Sequence, residues 1–297
     1  MMLVCKIKFR VLIIFSYLIL IANISASDDP KFVGTFQQGG LVLGQLAEGE
    51  TVSYKGKSLK INNKNQFLLG FGRNEPSEVE ITVHDQLGER NIILNIAARD
   101  YAIQKIEGVP QKTVNPSKEH LNRIQQDAAS VRKARRLISN QDDFTAGFIE
   151  PSSGPITGVY GSQRFYNGVP KSPHYGIDYA APIGTPVIAP AGGIITLVHN
   201  DMFYSGGTLI LDHGHGLSST FLHLSQILVT QGQRVTPGMV IAKIGASGRA
   251  TGPHLTSAPL CRLRARCSSA PSLPVRRRGR WSSRKGTAGS RAIREHE

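Results

Sequence analysis

The chain of 297 residues contains three cysteines, and none of them lies between residues 28 and 255. Cys5 lies near the N-terminus, whereas Cys261 and Cys267 lie towards the other end. The sequence therefore excludes a disulfide framework over most of its length. An exported protein without disulfides is ordinary in a bacterial envelope and less usual for a small secreted eukaryotic domain.

Outside the C-terminal segment the chain has little excess charge. Residues 256–297 contain ten Arg and one Lys against two Glu, and they supply +9 of the formal net charge of +14. Such a basic segment can bind a nucleic acid, an anionic wall polymer or a membrane surface. No base-reading motif and no interleaved aromatic residues accompany it, so we expect no nucleic-acid partner.

The N-terminus carries an apolar run with a basic flank. Lys6, Lys8 and Arg10 precede the apolar residues 11–24, and small residues follow this run. This order is typical of a secretory signal peptide, so we expect one over residues 1–27 and export to the periplasm or cell envelope. An uncleaved membrane anchor is the alternative, although the apolar run is short for a span. The chain would then contact a membrane only through this segment.

Short apolar runs alternate with turn residues over residues 32–99. Residues 79–83 and 92–96 are two such runs, with a glycine between them at Gly88. Five or six short strands at this spacing indicate a compact sandwich or barrel-like module, which we assign to residues 28–110. We interpret its one histidine, His84, as a surface strand residue.

One helix is predicted over residues 116–139, where apolar residues recur near the helical period. Asn115 can cap this helix, with Pro116 in the first position, where a missing N–H costs nothing. Basic residues in the last turns favour the helix dipole. We interpret residues 111–147 as a helical linker packed between two domains.

From residue 148 the pattern returns to short apolar runs punctuated by Gly and Pro, without a helical segment between residues 150 and 255. The sequence therefore predicts a mainly β protein. Its antiparallel β-sheet core spans residues 148–255 and is preceded by the small β module and the linking helix. Residues 256–297 show no period-2 pattern and predict a basic, disordered tail.

Four side chains in Gly-rich or strand-like contexts indicate metal chemistry: His174, Asp178, His223 and His254. Zinc takes imidazole and carboxylate ligands, and a catalytic zinc site needs three protein ligands and an open position. In a straight strand His174 and Asp178 would lie roughly 13 Å apart. The two side chains can share one zinc ion only if the chain curls between them, and Gly176 permits such a curl. Each residue alone is more often structural, and the His–Asp pair also suits an ordinary β-turn.

Residues 150–255 resemble the LytM and lysostaphin-type zinc metalloendopeptidases, which cut peptides of bacterial peptidoglycan. The matching stretches occur in the expected order. They are GPITGVYG at 154–161, HYGIDYAAP at 174–182, GTPVIAPAGG at 184–193, GTLILDHG at 207–214, HLS at 223–225 and ASGRATGPHL at 246–255.

The resemblance implies an antiparallel sheet whose groove holds Zn²⁺, with His174 and Asp178 as ligands. It implies that His223 and His254 are catalytic, as general base and as donors to the tetrahedral intermediate, beside a zinc-activated water. The third ligand of the family is the second histidine of an H-x-H motif, and this position is Thr256 here. The implied substrate is a peptidoglycan peptide, and other envelope hydrolases are implied as further partners.

Position 256 leaves two functions open. Retention of the four site residues favours a zinc endopeptidase, because a site long out of use would have lost more of them. Thr256 favours a non-catalytic member that binds wall peptide or activates a partner hydrolase. We interpret the abrupt change at residue 256 as a frame change or fusion, with a genuine wall-binding tail as the alternative. His213 and His215 match a turn of the family, and we interpret both as structural.

Overall fold

The computed structural model describes the backbone of residues 28–261, 265–266, 276–277 and 280–281. Side chains are described over residues 28–258, apart from 112 and 113. The predicted signal peptide and most of the predicted tail lie outside the described residues. Within the described part, no helix is long and apolar enough to cross a membrane.

Strands dominate the described chain, which confirms the prediction of a mainly β protein. The strands of the first part are β1 Lys31–Gly34, β2 Leu41–Gln45, β3 Thr51–Tyr54, β4 Lys57–Ser58, β5 Gln66–Gly70, β6 Glu78–Asp85, β7 Gly88–Asn95 and β8 Ile103–Ile106. Those of the second part are β9 Ile156–Gly158, β10 Gln163–Tyr166, β11 Val169–Pro170, β12 Ile177–Ala180, β13 Pro186–Ile188, β14 Gly193–Met202, β15 Gly206–Gly214, β16 Leu217–Ile227, β17 Arg234–Val235, β18 Val240–Ile244, β19 His254–Cys261, β20 Ala265–Arg266, β21 Arg276–Arg277 and β22 Arg280–Trp281.

The N-terminal module is a small sandwich of two antiparallel sheets. One sheet has the order β1-β2-β5 and the other the order β4-β3-β6-β7. Period-2 alternation produces this packing: Val79, Ile81 and Val83 of β6 are buried between the sheets, while the residues between them are more exposed. The predicted β module is therefore present in the structure.

The sheet β1-β2-β5 is covered on both faces. Phe67 and Leu69 of β5 pack between the two sheets, whereas Leu68 belongs to a second cluster together with Leu41. The other buried members of this second cluster are Phe144, Phe148, Ala191 and Leu217. Because alternate residues of a strand face opposite sides, an unbroken apolar run suits a strand buried on both sides. The module thus packs against the second β domain.

Glu75 is a carboxylate that is 7% exposed at one corner of the module. Its Oε1 accepts a hydrogen bond from Tyr54 at 2.9 Å and pairs with Lys55, and its Oε2 accepts from the Gly72 amide at 2.7 Å. Burial alone would raise the pKa of Glu75, but Lys55 and the hydrogen bonds outweigh it and lower the pKa below its ordinary value.

We expect Glu75→Ala to lower the free energy of unfolding by about 3 kcal/mol at pH 7, because it leaves the buried Tyr54 hydroxyl without its acceptor. A depressed carboxyl pKa contributes stability above the unfolded pKa and loses it as the pH falls through the folded value. The difference between wild type and variant should therefore shrink below pH about 4. Urea unfolding at several pH values measures it, with exposed Glu78→Ala as the control. An equal effect of the two substitutions would contradict the stabilising role of Glu75 as the buried acceptor for Tyr54.

The linker holds two helices, α1 Gln111–Val114 and α2 Lys118–Arg135, and a 3-10 helix at Asp143–Ala146. Helix α2 corresponds to the helix predicted over residues 116–139 but is shorter, and its N-cap is Ser117 instead of Asn115. The Ser117 hydroxyl accepts a hydrogen bond from the His120 amide, whereas Asn115 ends α1. Val131 and Ala134 of α2 pack on β14 and β15, beside a cluster that includes Met202. The linker is therefore docked on the second domain.

The second domain is built on a ten-stranded sheet with the path β17-β14-β15-β16-β19-β12-β9, to which β13, β18 and β20 attach. The pairings are antiparallel, as predicted, and residues 150–255 contain no helix. The domain boundary differs from the prediction at one point. β8 lies within the predicted range 28–110, but it pairs in parallel with β10 of the second domain.

The predicted start of a disordered tail at residue 256 is wrong. Residues 256–261 continue strand β19, which pairs with β12 on one side and with β16 on the other. Thr256 and Ser257 are 5% and 7% exposed. Two strand neighbours supply backbone partners for this segment, so pairing and burial decide its structure where its own pattern is weak. The sheet is continuous through β19.

Candidate active site

The candidate site lies on one face of β12, β16 and β19. Asp178 stands opposite Thr256, and Leu222 stands opposite Thr256 on the other neighbouring strand. The alternating residues, among them Tyr179 and Leu255, point to the other face and pack in the domain core. The face with Asp178 forms the floor of a cleft of about 1060 Å³ that is also lined by His174, His223 and His254. The structure thus brings all four predicted site residues into one cleft.

His174 lies in the irregular segment before β12 and is held through its backbone. Its amide donates to Ser162 at 2.8 Å, and its carbonyl accepts from Gly161 at 2.6 Å. Gly176 does not occupy the left-handed region. A Cβ there would lie 2.9 Å from the Thr256 methyl group, so glycine serves close packing on β19 and not a special turn.

Asp178 is buried and carries several contacts. Its Oδ1 accepts a hydrogen bond from Thr256 Oγ1 at 2.6 Å and lies 3.1 Å from His174 Nε2, and its Oδ2 pairs with Arg164 at 2.5 Å. Burial alone would raise the pKa of Asp178, but His174, Arg164 and Thr256 lower it well below its ordinary range. The group is therefore a carboxylate at neutral pH.

His223 occupies the left-handed region with φ 65°, next to irregularities in the pairing of β16. Its Nδ1 donates to the carbonyl oxygen of Ser247 at 2.8 Å, because a carbonyl can only accept. The Nε2 atom then carries the lone pair. Burial, with a smaller effect from His254, lowers the pKa of His223 to about 4. The ring is neutral at pH 7 and can accept a proton.

His254 pairs with His223 across the cleft, with a ring-centroid distance of 4.7 Å. Its Nδ1 donates to the Gly252 carbonyl at 2.9 Å, so its Nε2 also carries a lone pair in the neutral form. Two imidazoles with fixed tautomers therefore lie side by side. Such groups can take up or donate a proton at a substrate atom between them.

The donor set fits a zinc ion only in part. His174 Nε2 is buried without a hydrogen bond although a carboxylate oxygen lies nearby, an arrangement that a bound cation would satisfy. His174 also has a lowered pKa, mainly through burial, which keeps its ring neutral as a ligand requires. The position at which the resemblance implies a third ligand holds Thr256, whose neutral hydroxyl is a poor zinc donor. Within the described residues, no group of three His, Cys, Asp or Glu is arranged to hold a metal.

Arg164 is a site residue that was not predicted from the sequence. It lies on β10, and besides Asp178 its guanidinium contacts Gln104 of β8 at 3.1 Å. Arg164 and Tyr166 alternate along β10 and line the same cleft, which is the only signal that the local sequence offers. The contact of Arg164 with Gln104 depends on the parallel pairing of β8 with β10, and no local sequence pattern predicts this pairing.

The remaining predicted structural histidines lie outside the cleft. His213 is fully buried, bonds to Gly192 and Ser219, and has its pKa lowered by burial to about 4. His215 donates to the carbonyl of Lys60 at 3.1 Å, at the contact between the two β domains. These contacts agree with a structural role for both.

Residues 172–258 match Peptidase family M23. Peptidoglycan DD-endopeptidase ShyB of Vibrio cholerae is 37% identical over 145 residues, which cover 49% of this chain and 30% of the relative. Peptidoglycan DD-endopeptidase ShyA of the same organism is 44% identical over 84 residues, or 28% of this chain and 19% of the relative. The chain thus spans less than a third of the length of these relatives.

The solved structure of a putative peptidase M23 from Pseudomonas aeruginosa is similar, with a TM-score of 0.62 and 27% identity. The match covers 81% of this chain and 95% of that structure. It therefore extends beyond the residues that carry the cleft. The family match agrees with the zinc ion that the sequence resemblance implies.

Proposed function

We propose that this chain, which carries a LytM-type domain of Peptidase family M23 over residues 172–258, is a zinc endopeptidase for bacterial peptidoglycan peptides. The two Vibrio cholerae relatives are named as peptidoglycan DD-endopeptidases, which supports this substrate class. A wall substrate fits an exported protein, so we place the chain in the cell envelope.

The observation that carries the proposal is the convergence of His174, Asp178, His223 and His254 in one cleft. His174 Nε2 lies 3.1 Å from Asp178 Oδ1, and the rings of His223 and His254 are 4.7 Å apart. A His–Asp pair next to two further imidazoles is an arrangement that suits metal-assisted peptide hydrolysis.

His174 and Asp178 would hold the ion, which when bound would lower the pKa of a water molecule and polarise the scissile carbonyl. The lone pair on His223 Nε2 suits this ring to accept the proton of the attacking water. His254, in its protonated form, can donate to the oxyanion or to the leaving amine. The carbonyls of Ser247 and Gly252 keep both rings oriented through their Nδ1 atoms.

The second candidate function is a non-catalytic protein that uses the same cleft to bind wall peptide or to activate a partner hydrolase. Thr256 favours it, because the hydrogen bond from its hydroxyl to Asp178 Oδ1 uses an oxygen that a zinc ion would need. The two functions differ in whether a chain with histidine in place of Thr256 cleaves wall peptide.

In the Thr256→His chain with zinc, we expect slow release of new peptide amino groups from purified peptidoglycan. Adding His223→Gln should reduce this rate about 100-fold or more while zinc affinity stays unchanged, because it removes the base and no ligand. The control His199→Gln changes a histidine of β14 that does not line the cleft and should leave the rate unaltered. Zinc binding without cleavage in Thr256→His, together with peptide binding by wild type, would favour the non-catalytic function.

A further inference from the structure

Arg249 is a cation of the cleft that the proposed chemistry does not use. It lies in the turn between β18 and β19 and lines the cleft together with His223 and His254. Its guanidinium stacks on the rings of Tyr166 and Tyr204, at 5.2 and 4.9 Å from the ring centroids. Tyr166 ends β10 and Tyr204 follows β14, so Arg249 contacts two walls of the cleft at once.

The turn that carries Arg249 is rigidly attached. The Arg249 amide donates to the Tyr204 carbonyl at 3.0 Å. Ser247 Oγ accepts from the Gly207 amide at 2.9 Å and donates to the Leu224 carbonyl at 3.0 Å. The Ser247 carbonyl is also the acceptor that orients His223. The same turn therefore fixes the base and places a cation beside it.

Electrostatics of the cleft favour an anionic occupant. Among the lining residues, all within the described part of the chain, five are Lys or Arg and one, Asp178, is a carboxylate. Three of these cations have protein partners. Arg164 forms an ion pair with Asp178, Arg135 donates to Thr220, and Lys171 donates to the Val114 carbonyl. For Arg249, the described residues offer no carboxylate or carbonyl that accepts from its guanidinium.

We infer that Arg249 binds a free carboxylate of the peptide substrate and selects acidic peptides at a position next to the scissile bond. A guanidinium presents paired donors that match the two oxygens of a carboxylate. Stacking on two tyrosines immobilises the group before the substrate arrives, which reduces the entropic cost of binding. This inference rests on the proposed function for the position of the scissile bond, and its binding prediction can be tested separately.

The test uses the full chain and synthetic wall stem peptides, with binding measured by calorimetry at low salt. Three peptides of one sequence are compared: all carboxylates free, the side-branch carboxylate amidated, and the C-terminal carboxylate amidated. One amidated peptide should bind wild type about tenfold more weakly than the free peptide, and this identifies the carboxylate that Arg249 binds.

Arg249→Gln should abolish this tenfold preference, and Arg249→Lys should restore only part of it, because an ammonium lacks the planar donor pair. Lys105→Gln removes an exposed cation from the same cleft and should leave the preference unchanged. Preference retained in Arg249→Gln, equal binding of the three peptides, or no binding of any of them would overturn the inference. If the preference depends on Arg249 but Thr256→His cleaves no wall peptide, the carboxylate site stands and the proposed hydrolysis fails.

Discussion

Thr256→His should bind zinc about 100-fold or more tightly than wild type, since one added imidazole completes the set of three protein ligands. The backbone at position 256 is already held, because β19 pairs with both neighbours and residue 256 stands opposite Asp178. The substitution also removes the hydroxyl that bonds to Asp178 Oδ1. Competition with a chromophoric chelator at pH 7 measures the affinity.

Thr256→Val is the matched control for this prediction, because it removes the hydroxyl, keeps the branched shape and adds no ligand. Its zinc affinity should stay near that of wild type. His174→Ala in the Thr256→His background should abolish tight binding, since it returns the site to two ligands. If wild type binds zinc as tightly as Thr256→His, another group supplies the third ligand and our interpretation of position 256 is wrong.

Gly214→Ala should lower the free energy of unfolding by at least about 3 kcal/mol and the melting temperature by roughly 6–12 °C. Gly214 lies at the end of β15 with φ 96°, which disfavours any residue with a Cβ. An added methyl group would also overlap the backbone carbonyl of Gln141 in the linker. A backbone atom cannot rotate away, so the linker itself must shift.

Gly232→Ala separates the two contributions to this effect. Gly232 has a similar φ of 86°, but nothing lies within 4 Å of its added Cβ. This variant should cost only the conformational strain, about 1–2 kcal/mol. Thermal unfolding followed by circular dichroism compares the two. Equal costs would show that the docking of Gln141 against Gly214 contributes little.

The sequence predicted the features that depend on local patterns. Alternation in β6 identified the first module, and the Gly- and Pro-rich apolar runs after residue 148 excluded helices from the second domain. The resemblance carried by residues 150–255 placed His174 and Asp178 in one candidate site, and in the structure His174 Nε2 lies 3.1 Å from Asp178 Oδ1. Features set by distant contacts were missed, such as the pairing of β8 with β10 and the contact of Arg164 with Asp178.

The helix cap and β19 show the same limit in more detail. Asn115 and Ser117 are both good capping residues, and only the end of α1 at Val114 decides between them. Residues 256–261 lack an alternating pattern of their own, yet two neighbouring strands hold them in the sheet. Single-sequence patterns do not contain these partners.

The backbone conformation of His223 is unfavourable for stability but orients the ring for the proposed chemistry. At φ 65° a glycine is less costly than a histidine, so selection for folding alone would favour glycine at this position. The same conformation turns the ring towards the Ser247 carbonyl and leaves Nε2 facing the cleft. Replacing residues in the left-handed region by glycine to stabilise this protein would therefore remove its proposed base, and we expect screens for thermal stability to yield inactive variants at this residue.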